Sequence, residues 1–299
     1  MDYKYFLAVV DSGSLAAASE RLHIAPSAIS RQIALLEEGI GVLLFERRPR
    51  GMVLTAAGEA LATHALRVRL EEEAIVNSLR TASYTKAHVV QIASTEGLSR
   101  YFLPQVMAEF EVTNPAVQFV LSVSTPFDCV KMVRAGETDI GVVFSTAPVT
   151  DVRVDYACRS PLCAIMRPDH PLATFGGLSL AALQPYPIAM TRPGTTQRQL
   201  FDHVCQMEKL NFTEVLTCNY SGALHEFVRR TTAVALGSLI SHESDRDYGL
   251  IAVPLIDSRL NRDIQILSMA KRALPPTVSL FRDSLIRRLE EVNVPEAMH

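Results

Sequence analysis

The sequence predicts an α-helical head carrying a winged helix-turn-helix, a long linker helix, and then an α/β domain of two lobes. Three observations predict it. Before about residue 86 the chain reads almost entirely as helix, dominated by Ala, Leu, Glu and Arg. A strand, basic turn, strand signature interrupts that texture at 43–55. Beyond residue 86, short β-rich runs alternate with helical stretches, the pattern of crossover units and a mostly parallel sheet. The expected boundaries are 1–58 for the head, 59–86 for the linker and 87–299 for the α/β domain, its second lobe spanning about 161–265.

Composition narrows the classes. With 299 residues the chain is too long for one small module, and at 48% apolar and 20% charged it buries a sizeable core. The net charge of −3 excludes a polybasic protein but leaves room for a local basic patch. No apolar run approaches the ~20 residues that span a bilayer. The start lacks a small-residue cleavage pattern, so a secretory signal is not expected. The five cysteines form no C-x-x-C pair, which fits a reducing cytoplasm and idle thiols.

In the head, Phe6, Leu7 and Val10 fall on one side of a first helix that ends at Asp11-Ser12-Gly13. Ser14 is the N-cap of a second helix, where Ala16, Ala17 and Ala18 permit close packing. A tight connection, 23–25, leads to Pro26, which suits a first helical turn because its missing N–H had no partner there. The third helix, 27–37, turns Ile29, Ile33 and Leu36 to one face and Ser27, Ser30, Arg31 and Ala34 toward the other. Short polar side chains and an arginine suit the major groove, where Arg can make a bidentate contact with guanine. The same three helices also describe a plain bundle with a solvated polar face. The wing shifts the balance, since Arg47, Arg48 and Arg50 are placed to pair with phosphates. Charge in the first 50 residues nonetheless balances, six basic against six acidic, so the positive charge is positional and not net.

At this point the chain resembles the LysR-type transcriptional regulators. The resemblance rests on Phe6-Leu7-Ala8-Val9-Val10, Ser12-Gly13-Ser14, Ala17-Ala18 and Pro26-Ser27-Ala28-Ile29-Ser30-Arg31-Gln32-Ile33. It continues through Leu36-Glu37, Leu44-Phe45-Glu46-Arg47 and Leu54-Thr55-Ala56-Ala57-Gly58. It implies promoter-DNA contacts from Pro26, Ser27, Ser30, Arg31, Gln32, Arg47, Arg48 and Arg50. Two positions depart from the family pattern: Ala25 replaces a commonly polar residue, and Gly39 a common Leu, at a helix cost of ~1 kcal/mol.

Thr55 can cap a linker helix reaching about residue 84, and thirty helical residues span ~45 Å. Leu61, Val68 and Ile75 recur every seven residues, beside Ala65 and Leu79. That stripe suits pairing of two chains or packing on its own domain. The resemblance implies the former, as a homodimer or a dimer of dimers that also contacts RNA polymerase.

The α/β domain reads as strands at 89–93, 117–123 and 139–144 with helices between them, then a second set from about residue 161. The second set has strands at 162–166, 213–218 and 233–236, with helices at 195–210 and 224–230. A late strand at 264–269 is expected to return to the first lobe, and Pro275-Pro276 precedes a final helix at 278–290. The resemblance implies a periplasmic-binding-protein-like effector domain. Ligands in such folds sit between lobes, at strand C-termini and helix N-termini. Ser94 and Thr95 stand where the first strand meets its helix, and their hydroxyls with free N–H groups favour an anion, a carboxylate above all. Thr125, Phe144, Thr191, Thr195 and Ser221 complete the expected effector set. Each hydroxyl can equally be an ordinary helix cap. Contacts from the loop around 231–238 do not carry over, because the family's glycines and proline are missing there.

No G-x-S-x-G, H-E-x-x-H, Walker loop or G-x-G-x-x-G occurs, so no enzyme, cofactor or metal site is expected. The expectation is a cytoplasmic, sequence-specific DNA-binding regulator modulated by a small-molecule effector, with no membrane partner. The alternatives are a regulator that needs no ligand, and a solute-binding protein, which would leave the helix-turn-helix unexplained.

Overall fold

The computed structural model describes residues 3–48, 51–81, 88–147, 149–240 and 249–293. It divides into two compact units, Met1–Tyr84 and Thr85–His299, so the linker helix clusters with the head.

The head follows its local signals. Helix α1 (Lys4–Ser12) closes on Gly13, whose φ of 71° is left-handed and whose N–H reaches Val9 O. Helix α2 (Leu15–Leu22) is capped by Ser14, whose hydroxyl accepts the Ala17 N–H at 3.2 Å. Helix α3 (Pro26–Ile40) has proline in its first turn and runs through Gly39 to a left-handed Gly41. Ile29 and Ile33 of α3 pack with Phe6, Val9, Ala18 and Leu44 in the head core. Strands β1 (Phe45–Arg48) and β2 (Gly51–Leu54) form an antiparallel wing, with Phe45 opposite Leu54.

A side chain ties the wing to α3. Glu37 Oε1 accepts the backbone N–H groups of Leu44, at 2.7 Å, and Phe45, at 3.2 Å. Helix α4 (Ala56–Thr81) begins at Thr55, whose hydroxyl accepts from Gly58 N and donates to Leu43 O. Gly58 is required by close approach, because a Cβ there would lie 2.0 Å from Leu44 O. Along α4, Ala65 is buried and Leu61, Ala62 and Leu66 pack against the head core. Leu61 and Ala65 of the linker stripe therefore pack within their own unit. The side chains of Ile75 and Leu79 lie outside the described residues.

The second unit is a mixed sheet, where a mostly parallel one was expected. Its strands are β3 (His88–Ser94), β4 (Val117–Val123), β5 (Ile140–Ser145), β6 (Val152–Met166), β7 (Ile188–Thr191), β8 (Glu214–Cys218), β9 (Val234–Ser238), β10 (Ile251–Pro254) and β11 (Asn261–Met269). The order is β4-β3-β5-β11-β6-β9-β7-β8, with β10 on β6. Within each lobe the crossover strands are parallel, β3 with β4 and β5, and β7 with β8 and β9. The strands that join the lobes, β6 and β11, pair antiparallel.

Strand β6 belongs to both lobes. Its 152–161 half pairs with β11 in the first lobe, and its 162–166 half pairs with β9 and β10 in the second. Only the latter half reads as a strand in sequence. Pro161 sits where the strand exchanges partners, opposite Asn261 of β11. Strand β10 had no counterpart in the sequence reading. The return of β11 beside β5 agrees with the expected crossing back to the first lobe.

Helices α5 (Glu96–Ser99), α6 (Phe102–Thr113) and α7 (Pro126–Arg134) belong to the first lobe, and α8 (Thr196–Glu208) and α9 (Ser221–Arg229) to the second. The last helix, α10 (Pro276–Asn293), buries Val278, Phe281, Leu285 and Leu289 in the first lobe's core with Ile92, Phe110 and Ile264. The second lobe has its own core around Leu162, Met190, Phe201 and Leu236. Two cores joined by two crossing segments leave a cleft between the lobes. No helix among the described residues is long and apolar enough to cross a membrane.

Candidate functional site

Two surfaces carry the candidate chemistry. The first is the outer face of α3. Pro26, Ser27, Arg31 and Gln32 are exposed and Ser30 is half-buried, opposite the buried Ile29 and Ile33. Arg31 makes no ion pair or hydrogen bond among the described residues, so its guanidinium is available to an outside acceptor. Arg48 is exposed on β1 and pairs with Glu46 at 2.8 Å. An exposed pair of this kind contributes about 0–1 kcal/mol, so a phosphate can displace it. The Arg47 side chain and all of Arg50 lie outside the described residues. Ala25 precedes α3 as an N-cap without a side-chain hydrogen bond, as its methyl group dictates.

The second surface is a cleft of about 460 Å³ between the lobes of the second unit, where the ends of β3, β4 and β7 meet the starts of α5, α7 and α8. Thr95, Thr125, Phe144, Thr191, Thr195 and Ser221 all line it. Ser94 does not: it is fully buried, and its hydroxyl donates to Val142 O at 2.6 Å. A residue at the strand's last position points into the sheet, and the neighbouring carbonyl consumes its donor.

The hydroxyls that line the cleft differ in what they have left to give. Thr125 and Thr195 are helix caps, accepting from Asp128 N and Arg198 N at 3.1 and 3.2 Å. Thr191 and Thr195 share a hydroxyl contact of 2.8 Å. Ser221 donates across the cleft to Glu96 Oε1 at 2.8 Å. Thr95 precedes α5 without capping it, and its buried Oγ1 has no hydrogen-bond partner among the described residues.

Several lining residues were not legible beforehand: Thr196, Gln197, His225, Ser238 and Arg262. Gln197 is buried, its amide donating to Leu236 O at 3.0 Å. Ser238 shares a contact of 3.2 Å with Ser160 where β6 and β9 run side by side. His225 Nδ1 stands 2.7 Å from Arg100 Nη1. Arginine can only donate, so Nδ1 accepts and the ring proton sits on Nε2. With Ser221–Glu96, this makes a two-point contact between α9 in one lobe and the α5 region in the other.

Arg262, on β11, is 6% exposed. Its guanidinium lies 3.5 Å over the Phe144 ring and donates from Nη1 to Thr196 Oγ1 at 3.1 Å. Burial pulls its pKa down from the ordinary arginine range to about 9. The cysteines behave oppositely. Burial raises Cys129 to about 11 and Cys163 to about 12, so both are protonated thiols at neutral pH and poor nucleophiles. All five are free.

A helix-turn-helix with an exposed polar face, joined to a two-lobed domain with a polar cleft, defines a DNA-binding transcriptional regulator with a ligand-binding domain. The model of the bacterial regulatory helix-turn-helix protein, lysR family, matches residues 1–59, and that of the LysR substrate binding domain matches 85–290. The chain belongs to the LysR family. It is 26% identical over 287 residues to the RuBisCO operon transcriptional regulator of Allochromatium vinosum, covering 95% of this chain and 94% of the relative. A full-length OxyR variant from Pseudomonas aeruginosa has the same fold, with a TM-score of 0.66 at 18% identity over 94% of this chain and 92% of that one. So does full-length CbnR in complex with its target DNA, with a TM-score of 0.56 at 20% identity over 96% and 99%.

Proposed function

We propose that α3 enters the major groove of promoter DNA, with Ser27, Ser30, Arg31 and Gln32 meeting base edges and Arg47, Arg48 and Arg50 holding the flanking phosphates. The observation that carries this reading is the unpaired, exposed Arg31 on the face opposite Ile29 and Ile33. A bidentate Arg contact discriminates bases by about 1–3 kcal/mol, whereas phosphate contacts add affinity for any sequence. The DNA-bound form of CbnR, with the same fold, supports the assignment.

The regulator is modulated by a small carboxylate held between the lobes. Such a ligand acts by binding two subunit arrangements with different affinity. The regulator works in the cytoplasm as a homodimer or dimer of dimers, the two recognition helices reading two half-sites, and RNA polymerase is its partner on the promoter.

Gel shifts on cognate and scrambled duplexes at two salt concentrations test the DNA half. Arg31→Ala should lower cognate affinity about 5- to 100-fold and relax base preference. Arg48→Ala should weaken both duplexes alike and reduce the salt slope by about 1. Equal effects of the two substitutions on both duplexes would defeat the role assignment.

A further inference from the structure

The cleft holds a buried positive charge that no described side chain neutralises. Arg262 is 94% removed from solvent, yet it forms no ion pair among the described residues. Glu96 is the acidic side chain lining the cleft, and its Oε1 is occupied by the Ser221 hydroxyl. The guanidinium has five N–H donors. One is spent on Thr196, the Phe144 ring takes one face, and Nε is buried without an acceptor.

Its surroundings compound the imbalance. Thr196 is the first residue of the 13-residue helix α8. The positive end of that helix therefore lies at the same cleft, with its Arg198 amide taken by the Thr195 cap. A cation beside a helix N-terminus is unfavourable on both counts, and an anion between them answers both. Thr95, 8% exposed, adds a buried hydroxyl that no group among the described residues satisfies. These groups belong to different elements: β11, α8 and the β3–α5 turn. Phe144 comes from the first lobe and Thr196 from the second, so Arg262 touches both.

Resting on the reading that the cleft is the effector site, we infer that Arg262 is the specificity-determining counter-cation for the effector. The seat takes a compact oxyanion (a carboxylate, sulfate or phosphate group) at the Arg262 guanidinium, in the part of the cleft that Thr95 and the start of α8 also line. A neutral compound of the same shape leaves the charge uncompensated and is rejected. Because the seat draws on both lobes, filling it ties them together.

The test uses the full-length protein with sodium succinate, citrate, sulfate and phosphate as probes, and succinamide and glycerol as neutral controls. Binding is read by calorimetry and by thermal shift, for wild type, Arg262→Lys, Arg262→Met and Thr95→Val, with folding checked by circular dichroism. At least one anion should bind wild type and neither neutral control should. Arg262→Met should weaken that Kd by about 30-fold or more, as expected for a buried charge pair. Arg262→Lys should retain part of the affinity, and Thr95→Val should lose about 5- to 10-fold. If Arg262→Met does not fold, the Lys and Val variants decide the matter. Absence of binding by all four anions, or equal anion binding in every variant, would overturn the seat. A neutral control bound equally by wild type and Arg262→Met would overturn it too, while leaving the cleft standing as an effector site.

Discussion

Replacing Arg262 with Met should make the ligand-free protein more stable. Burial pulls the guanidinium well below its ordinary value, to about 9, on folding. At 1.36 kcal/mol per pH unit that is roughly 5 kcal/mol of charge burial. The sign follows from proton binding. The folded state holds the proton less tightly than the unfolded chain, so stability rises as pH climbs above about 9, and below 9 the penalty is in full force. Two contacts offset it. The charged hydrogen bond to Thr196, at 3.1 Å, returns about 2 kcal/mol, and the Phe144 stack, at 3.5 Å, about 1–2 kcal/mol. The remainder, about 1–2 kcal/mol, is what methionine should recover by filling the volume with an apolar, adaptable side chain. For a unit of this size that raises the midpoint by about 2–8 °C. Differential scanning calorimetry at pH 7.5 without added anions reads it directly. A saturating anion should reverse the order, since only wild type gains from mass action. A fall in midpoint of several degrees for the ligand-free variant would show that the protein already compensates the charge, and would refute the reasoning.

Three further outcomes follow from the geometry. Glu37→Ala strips two backbone donors, at 2.7 and 3.2 Å, of their acceptor; it should cost the head about 2–4 kcal/mol, and Glu37→Gln should restore most of it, as measured by urea unfolding. Gly58→Ala puts a methyl group 2.0 Å from Leu44 O, which forces the backbone to move; a loss of roughly 2–3 kcal/mol and weaker binding to every duplex should appear together, and an unchanged head would count against the close approach of α4 to Leu44. Cys129 and Cys163, raised to about 11 and 12 by burial, should react with iodoacetamide at pH 8 at least about 10-fold more slowly in native protein than in urea. Their contribution to stability is complete below pH 9 and fades as pH climbs through those values, so urea midpoints at pH 8 and 10 should differ in that sense.

Local chemistry made much of the head legible. Ser14, Gly13, Pro26 and Thr55 act within three or four residues of themselves, so their capping roles can be read without knowing what lies across the core. The same holds for the cleft's caps, Thr125 and Thr195. Legibility stopped where partners are distant. Strand 152–161 alternates polar and apolar residues at the margin of the first lobe, and its pairing with β11 lies some hundred residues away along the chain. Arg262 reads as one more charged residue on a polar stretch, and nothing near it announces burial.

The sequence by itself determined the elements of the head, the family and the polar face of the recognition helix, because spacing and capping are short-range physics. Tertiary structure decided which hydroxyls remain unspent and which charge is stranded. Ser94 lost its donor to Val142, Thr95 kept its own, and Phe144, Thr196 and Arg262 met in one place. The physical reason is that strand pairing sets these neighbours. A period of two tells which side a residue faces, but not which strand stands beside it.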